Sequence, residues 1–144
     1  MEDKLMSIAM KSGWFAIVLG NFDPHMPGIY EWRIPGVGVY IGKAGTLSKR
    51  IRAYPNNVRR MLLDLPWHGN PHKQYRLIHR ALKWAYAQGI LVEVVILENC
   101  ESGDRAERER YWINKRAHEA AKGGPPLLNS GYWDNSKSFD DEKS

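Results

Sequence analysis

The sequence predicts an α/β protein of the α+β type, with a small central three-stranded, mainly antiparallel β-sheet flanked by helices on both faces. Three observations carry that expectation. Residues 28–43 hold two short β-prone runs on either side of Pro35-Gly36, a hairpin pattern. Residues 90–99 form a strand whose alternating faces are apolar up to Leu97 apart from Glu93, the signature of a strand covered on both sides. Residues 74–88 and 104–122 carry apolar side chains at helical spacing and supply the covering layers.

Taken in order, residues 1–27 read as an N-terminal extension. Leu5, Met6, Ala9 and Met10 are spaced as on a short helix, and residues 14–19 form a candidate edge strand ended by Gly20 and Pro24. Residues 28–34 and 37–43 are the hairpin strands. Side chains alternate faces along a strand, so turn length decides where two tyrosines point. A two-residue turn sends Tyr30 and Tyr40 to opposite faces; a three-residue turn, 35–37, puts them diagonally on one face. The three-residue turn is expected. Gly38 and Gly42 then share that face and leave a shallow groove open to a ligand's backbone. Cross-strand aromatic packing is the structural alternative for the two tyrosines.

Leu47, Ile51 and Tyr54 recur at helical spacing behind a cap at Gly45 or Thr46. Residues 55–73 are less regular, with a helical look at 58–63 and a loop at 65–72. His68 and His72 lack a third ligand for zinc, so this loop reads as a DNA contact. The helix at 74–88 stops at Gly89, buries Tyr75, Ile78, Leu82, Ala85 and Tyr86, and carries Arg76, His79, Arg80 and Lys83 as an acid-free basic stripe. That stripe is either a solvated face or a phosphate contact. The helix at 104–122 opens on an Asp104–Glu107 capping box and turns Trp112, Ile113, Ala117 and Ala120 inward. Glu109 falls on the same inward side, where a carboxylate requires a partner such as Arg50 or a cation. Leu127, Leu128 and Asn129 return the chain to the body, and Gly131-Tyr132-Trp133 packs as its last ordered element. Residues 134–144 are a polar tail expected to be disordered. Residues 28–133 therefore make one domain.

The net charge is +5 and the pI about 9.4. The tail carries four acids against two lysines, which leaves about +7 on residues 1–133. A basic body suits a polyanion, nucleic acid first, although basic charge also serves solubility alone. Cys100 is the only cysteine, which excludes an internal disulfide and a thiolate metal site and fits a reducing, cytoplasmic setting. No apolar run is long enough to cross a bilayer, and the N-terminus lacks a signal-peptide pattern. Gly36-Val37-Gly38 lacks the lysine and hydroxyl of a phosphate-binding loop, and no serine–histidine–aspartate set stands out. One inward glutamate also argues against a two-metal centre. What remains is one carboxylate, two phenols, a lysine, arginines and an amide, a set suited to phosphodiester hydrolysis with one divalent ion.

Gly28-Ile29-Tyr30, then Tyr40-Ile41-Gly42-Lys43, then Arg50, Glu109 and Asn129 resemble the GIY-YIG endonuclease family over residues 28–131. Both tripeptides are matched without substitution. The resemblance implies a stand-alone catalytic domain acting on DNA. Glu109 would hold one Mg²⁺, with Mn²⁺ able to substitute, and Tyr30 would accept the proton of the attacking water. Lys43 would favour the phenolate, Tyr40 would orient the water or scissile phosphate, and Arg50 would hold that phosphate. Asn129 would support the metal region and Tyr54 the site generally. Arg52, rotated away from Arg50, would contact backbone or solvent. No small-molecule cofactor or membrane is implied. No second domain reads sequence, so target choice falls to the chain's own loops, its oligomeric state or a partner protein. A non-catalytic nucleic-acid-binding domain of the same fold, and a small protein-interaction domain, are the alternatives.

Overall fold

A computed structural model of the chain describes residues 13–65 and 76–130. It shows a four-stranded mixed sheet with helices on both faces. Strands β1 (Phe15–Val18), β2 (Gly28–Ile34), β3 (Gly38–Ala44) and β4 (Val92–Asn99) lie in the order β1-β4-β2-β3. β2 pairs antiparallel with both β3 and β4, and β1 runs parallel to β4. The expected all-but-antiparallel sheet of three strands is thus a mixed sheet of four. The candidate edge strand at 14–19 is a genuine member, and it makes β4 an interior strand.

The helices are α1 (Leu47–Leu62), α2 (Leu77–Gln88) and α3 (Arg105–Ala121), with short 3₁₀ turns at Ser102–Asp104 and Leu128–Ser130. One face of the sheet, bearing Tyr30, Trp32, Val92, Val94 and Ile96, is fully buried with Leu47, Ile51, Tyr54 and Val58 of α1 and Ile78, Ala81, Leu82 and Ala85 of α2. α3 covers the other face of β2 and β3. β4 is less enclosed than its two-sided apolar pattern implies: Val92, Val94 and Ile96 are buried, Val95 and Leu97 are half-buried, and Leu91 just before it is exposed.

Three local expectations change. α1 continues through Pro55 to Leu62, joining the helical turns expected at 47–54 and 58–63 into one helix where a less regular stretch was expected between them. Proline removes one helical bond, but Tyr54 and Val58 on either side are pinned in the core, and the helix continues. Asp104 makes no side-chain capping bond, and the 3₁₀ turn at Ser102–Asp104 leads into α3 instead. α3 buries no residue completely, and Ala117, expected inward, is exposed. α2 ends as expected, on Gly89 in the left-handed conformation with φ 74°. Its expected inward residue Tyr86 is only half-buried. The expectations for residues 1–12, the loop at 66–75 with His68, His72 and Tyr75, and residues 131–144 lie outside the described residues.

Candidate active site at one end of the sheet

The register gathers the candidate residues. Gly28 opens β2 opposite Ala44 at the end of β3 and Asn99 at the end of β4. α1 begins three residues beyond β3, and α3 begins six beyond β4. The start of β2, the ends of β3 and β4 and the starts of α1 and α3 therefore share one end of the sheet. Tyr30, Gly42, Lys43, Arg50 and Glu109 all belong to it.

The hairpin has the odd turn. Ile34 pairs with Gly38, Val37 donates to the Ile34 carbonyl at 3.0 Å, and Gly36 takes φ 77°. Tyr30 stands opposite Gly42 and Trp32 opposite Tyr40, so both tyrosines share a face diagonally. The groove expected beside the glycines is nevertheless filled. A Cβ on Gly42 would collide with the Tyr30 ring and hydroxyl, and one on Gly38 with the Pro126 carbonyl. Gly42 makes room for a side chain of this chain, not for a ligand.

Tyr30 is 1% exposed, and its hydroxyl lies 2.5 Å from that of Tyr54. Burial pushes the Tyr30 phenol up to about 12, only partly offset by the Tyr54 hydrogen bond and by Arg50. Tyr54 is likewise held well above an ordinary phenol by burial and then by Tyr30. Arg50 faces this pair. Partial burial works against its charge, but the phenols of Tyr30, Tyr54 and Tyr40 outweigh that and raise its pKa. Tyr40 is the half-buried member of the cluster. Burial thus favours the protonated form of the Tyr30 phenol, and Tyr40 is the more accessible of the two hairpin phenols. Lys43 does not lie beside Tyr30: β-strand parity puts Lys43 on the opposite face of β3 from Gly42.

On that opposite face Lys43 Nζ lies 3.8 Å from Glu109 Oε1, with the lysine side chain 44% and the glutamate side chain 24% exposed. Glu109 does point inward from α3, and its partner is Lys43 rather than Arg50. Asn129 sits on the edge of β3 between the two faces. Its Oδ1 accepts from Ile41 N and its Nδ2 donates to Ile41 O, both at 2.7 Å. It mimics a neighbouring strand for one residue and holds straight the stretch that carries Tyr40, Gly42 and Lys43.

The remaining candidates divide. Arg52 is exposed and donates to Ser48 O on α1. Arg76 is exposed and Arg80 and Lys83 are half-exposed, but His79 is buried, so the basic stripe is interrupted. Its ring stacks on Tyr54 at 5.0 Å, and Asn57 Nδ2 donates to its Nε2 at 3.1 Å. His79 supports Tyr54 from behind rather than meeting a substrate. Sequence reading also passed over Glu31, whose carboxylate is fully buried and bonded by Arg33 and Arg116. Arg33 two positions along the strand was the available signal, since i and i+2 share a face.

Among the described residues no three His, Cys, Asp or Glu side chains cluster. A single accessible carboxylate with one long ion pair fits Mg²⁺, which keeps most of its waters and takes one or two carboxylates. No protein-family model, curated protein or solved structure matches this chain.

Proposed function

We propose that this chain is a metal-dependent endonuclease that hydrolyses DNA phosphodiester bonds and works in the manner of the GIY-YIG nucleases it resembles. One observation carries the reading: residues drawn from four separate parts of the sequence gather on β3, with Tyr40 beside Arg50 on one face, Lys43 paired to Glu109 on the other, and Asn129 bracing the strand at Ile41 between them.

Roles follow from environment. Tyr40, the accessible phenol, contacts the attacking water; once its own proton has passed to solvent, the phenolate takes the water's proton, the role the sequence suggested for Tyr30. Tyr30 and Tyr54 form a buried platform beside Arg50, whose guanidinium hydrogen-bonds the Tyr30 hydroxyl. Arg50 binds the scissile phosphate and stabilises the charge that develops on it, where a fixed cation acts most strongly. Glu109 holds Mg²⁺, with Mn²⁺ able to substitute; when bound, the ion supplies charge to the leaving 3′ oxygen. Lys43 orients the Glu109 carboxylate from the opposite face of β3. Asn129 fixes the β3 backbone between the two halves.

The Lys43–Glu109 pair favours a second reading. If Lys43 permanently satisfies Glu109, the same basic end binds nucleic acid without cutting it. Nicking of supercoiled plasmid separates the two. The nuclease nicks in Mg²⁺, stops in EDTA and loses activity in Glu109→Ala; a binding domain retains salt-sensitive affinity and never nicks.

A further inference from the structure

The same end of the molecule holds a second concavity that the proposed chemistry does not use. It is a cavity of about 270 Å³ on the other flank of α1, lined by Ile17, Leu19, Pro24, His25, Ser48, Ile51 and Arg52. Its walls are apolar, and its polar groups sit on the α1 and loop sides. Ile17 and Leu19 are exposed although they are large and aliphatic.

The rim is built and not merely left over. Residues 23–27 leave no regular element, yet almost every backbone group there is engaged. Asn99 Oδ1 accepts from Asp23 N at 2.8 Å, and its Nδ2 donates to Asp23 O and Pro27 O. His25 N donates to Asp23 Oδ1 at 2.8 Å. Leu47 N and Ser48 N, free donors at the start of α1, bond to Met26 O and Pro24 O. Loops ordinarily move more than the elements they join; this one is tied to β4 and α1 together and holds Pro24 and His25 in place on the rim.

We propose that this slot receives one unpaired base of the nucleic acid whose phosphate lies at Arg50, so that the enzyme prefers bulged or flapped DNA to intact duplex. The inference rests on the nuclease reading. Size and charge identify the occupant. The cavity lies just below the roughly 300–1,000 Å³ of an ordinary small-molecule cleft, room for a single planar ring. Apolar walls with a few polar groups at one side suit a base, which is apolar on its faces and polar along its edge. α1 carries Lys49, Arg50, Arg52, Arg59 and Arg60 and no acid along its length, so the ring that enters arrives on an anionic backbone. Arg50 and Arg52 project from opposite flanks of one turn, about 200° apart at 3.6 residues per turn. A strand crossing the start of α1 passes the first at the scissile phosphate and the second at the slot.

The test uses 2-aminopurine, a fluorescent base, placed as a single-base bulge in a short DNA duplex, with binding followed in EDTA so that nothing is cut. Intact duplex is the reference. Leu19→Glu and Ile17→Glu change exposed positions, and thermal melting checks that each variant folds. The wild type binds the bulged duplex about ten-fold more tightly than the intact one, in line with the worth of one buried base, and changes the 2-aminopurine emission. Both variants lose that preference and that signal while binding intact duplex as the wild type does. Equal wild-type affinity for both duplexes overturns the proposal. So does an undiminished preference in both variants, the result expected if the slot takes a lipid or a protein side chain. If metal-dependent nicking is present, either result removes the slot alone; if neither duplex binds and no nicking occurs, the nuclease reading falls with it.

Discussion

Tyr30 and Tyr40 share a face of one hairpin, but burial separates them. Tyr30 keeps its proton to about pH 12 in the folded chain, against 10.0 for an unperturbed phenol. Its contribution is therefore whole below pH 10 and is lost as pH rises toward 12, because the unfolded chain releases the proton first. Each unit in that window removes about 1.4 kcal/mol. Urea denaturation between pH 9 and 12 should show this decline in the wild type and a shallower one in Tyr30→Phe. At pH 7 the same variant should be less stable by about 1–3 kcal/mol, because the Tyr54 hydroxyl is left without its buried partner. Gly42→Ala should be worse for the site: its methyl occupies the space of the Tyr30 ring. An overpacking cost of about 1–3 kcal/mol should appear in the denaturation midpoint, with loss of nicking from displacement of Arg50. These placements were partly legible. Strand parity and a three-residue turn put both tyrosines on one face. That Gly42 accommodates Tyr30 was not legible, since alternation gives the face of a side chain and not the direction in which its ring leans.

At the scale of elements, polar bonds place α3 more than apolar burial does. No α3 residue is fully buried, while Arg116 reaches Glu31, Arg108 and Trp112 reach Glu98, and Glu109 reaches Lys43. Removing one side of the buried pair strands a charge: Glu31→Ala should cost about 3–5 kcal/mol in chemical denaturation. Arg33→Ala, at the exposed end of the same network, should cost under about 1 kcal/mol. Asn129 works on β3 in the same manner. Asn129→Ala should destabilise by about 1–3 kcal/mol through the two Ile41 backbone groups it abandons. It should also lower nicking more than that loss predicts, measured at a temperature where the variant is fully folded. The inward turn of Glu109 was readable from helical periodicity. Its partner was not, because pairing across a sheet edge depends on packing angles that periodicity does not encode. The capping box is absent for a related reason: Asp104 belongs to the 3₁₀ turn Ser102–Asp104 and makes no side-chain capping bond. His79 shows the limit of reading charge stripes, since its spacing matched its basic neighbours while its ring filled the gap behind Tyr54.

For the molecule as a whole, the hairpin, the three helices and the interior position of β4 were all visible as local patterns. The place of β1 was not. Its pairing to β4 joins residues more than seventy positions apart, and four β-prone residues carry no mark of their partner or direction. The consequence for function lies in geometry. β3 carries the accessible phenol beside the guanidinium on one face and the lysine paired to the carboxylate on the other, on a chain of net charge +5. Affinity for DNA should fall steeply with added salt as bound counterions are released. Arg50→Ala should flatten the dependence, by a slope change of about one in a log–log plot of affinity against salt. Single-turnover nicking of supercoiled plasmid in Mg²⁺ tests the central claim most directly, with wild type, Glu109→Ala, Tyr40→Phe and Tyr30→Phe compared where all four are folded. The wild type should nick and stop in EDTA. Glu109→Ala and Tyr40→Phe should each fall by about 100-fold or more, the scale of one lost proton-transfer or charge-stabilising group, and Tyr30→Phe by less than about ten-fold. Absence of metal-dependent nicking by the wild type, or full activity in Glu109→Ala or Tyr40→Phe, would contradict the account.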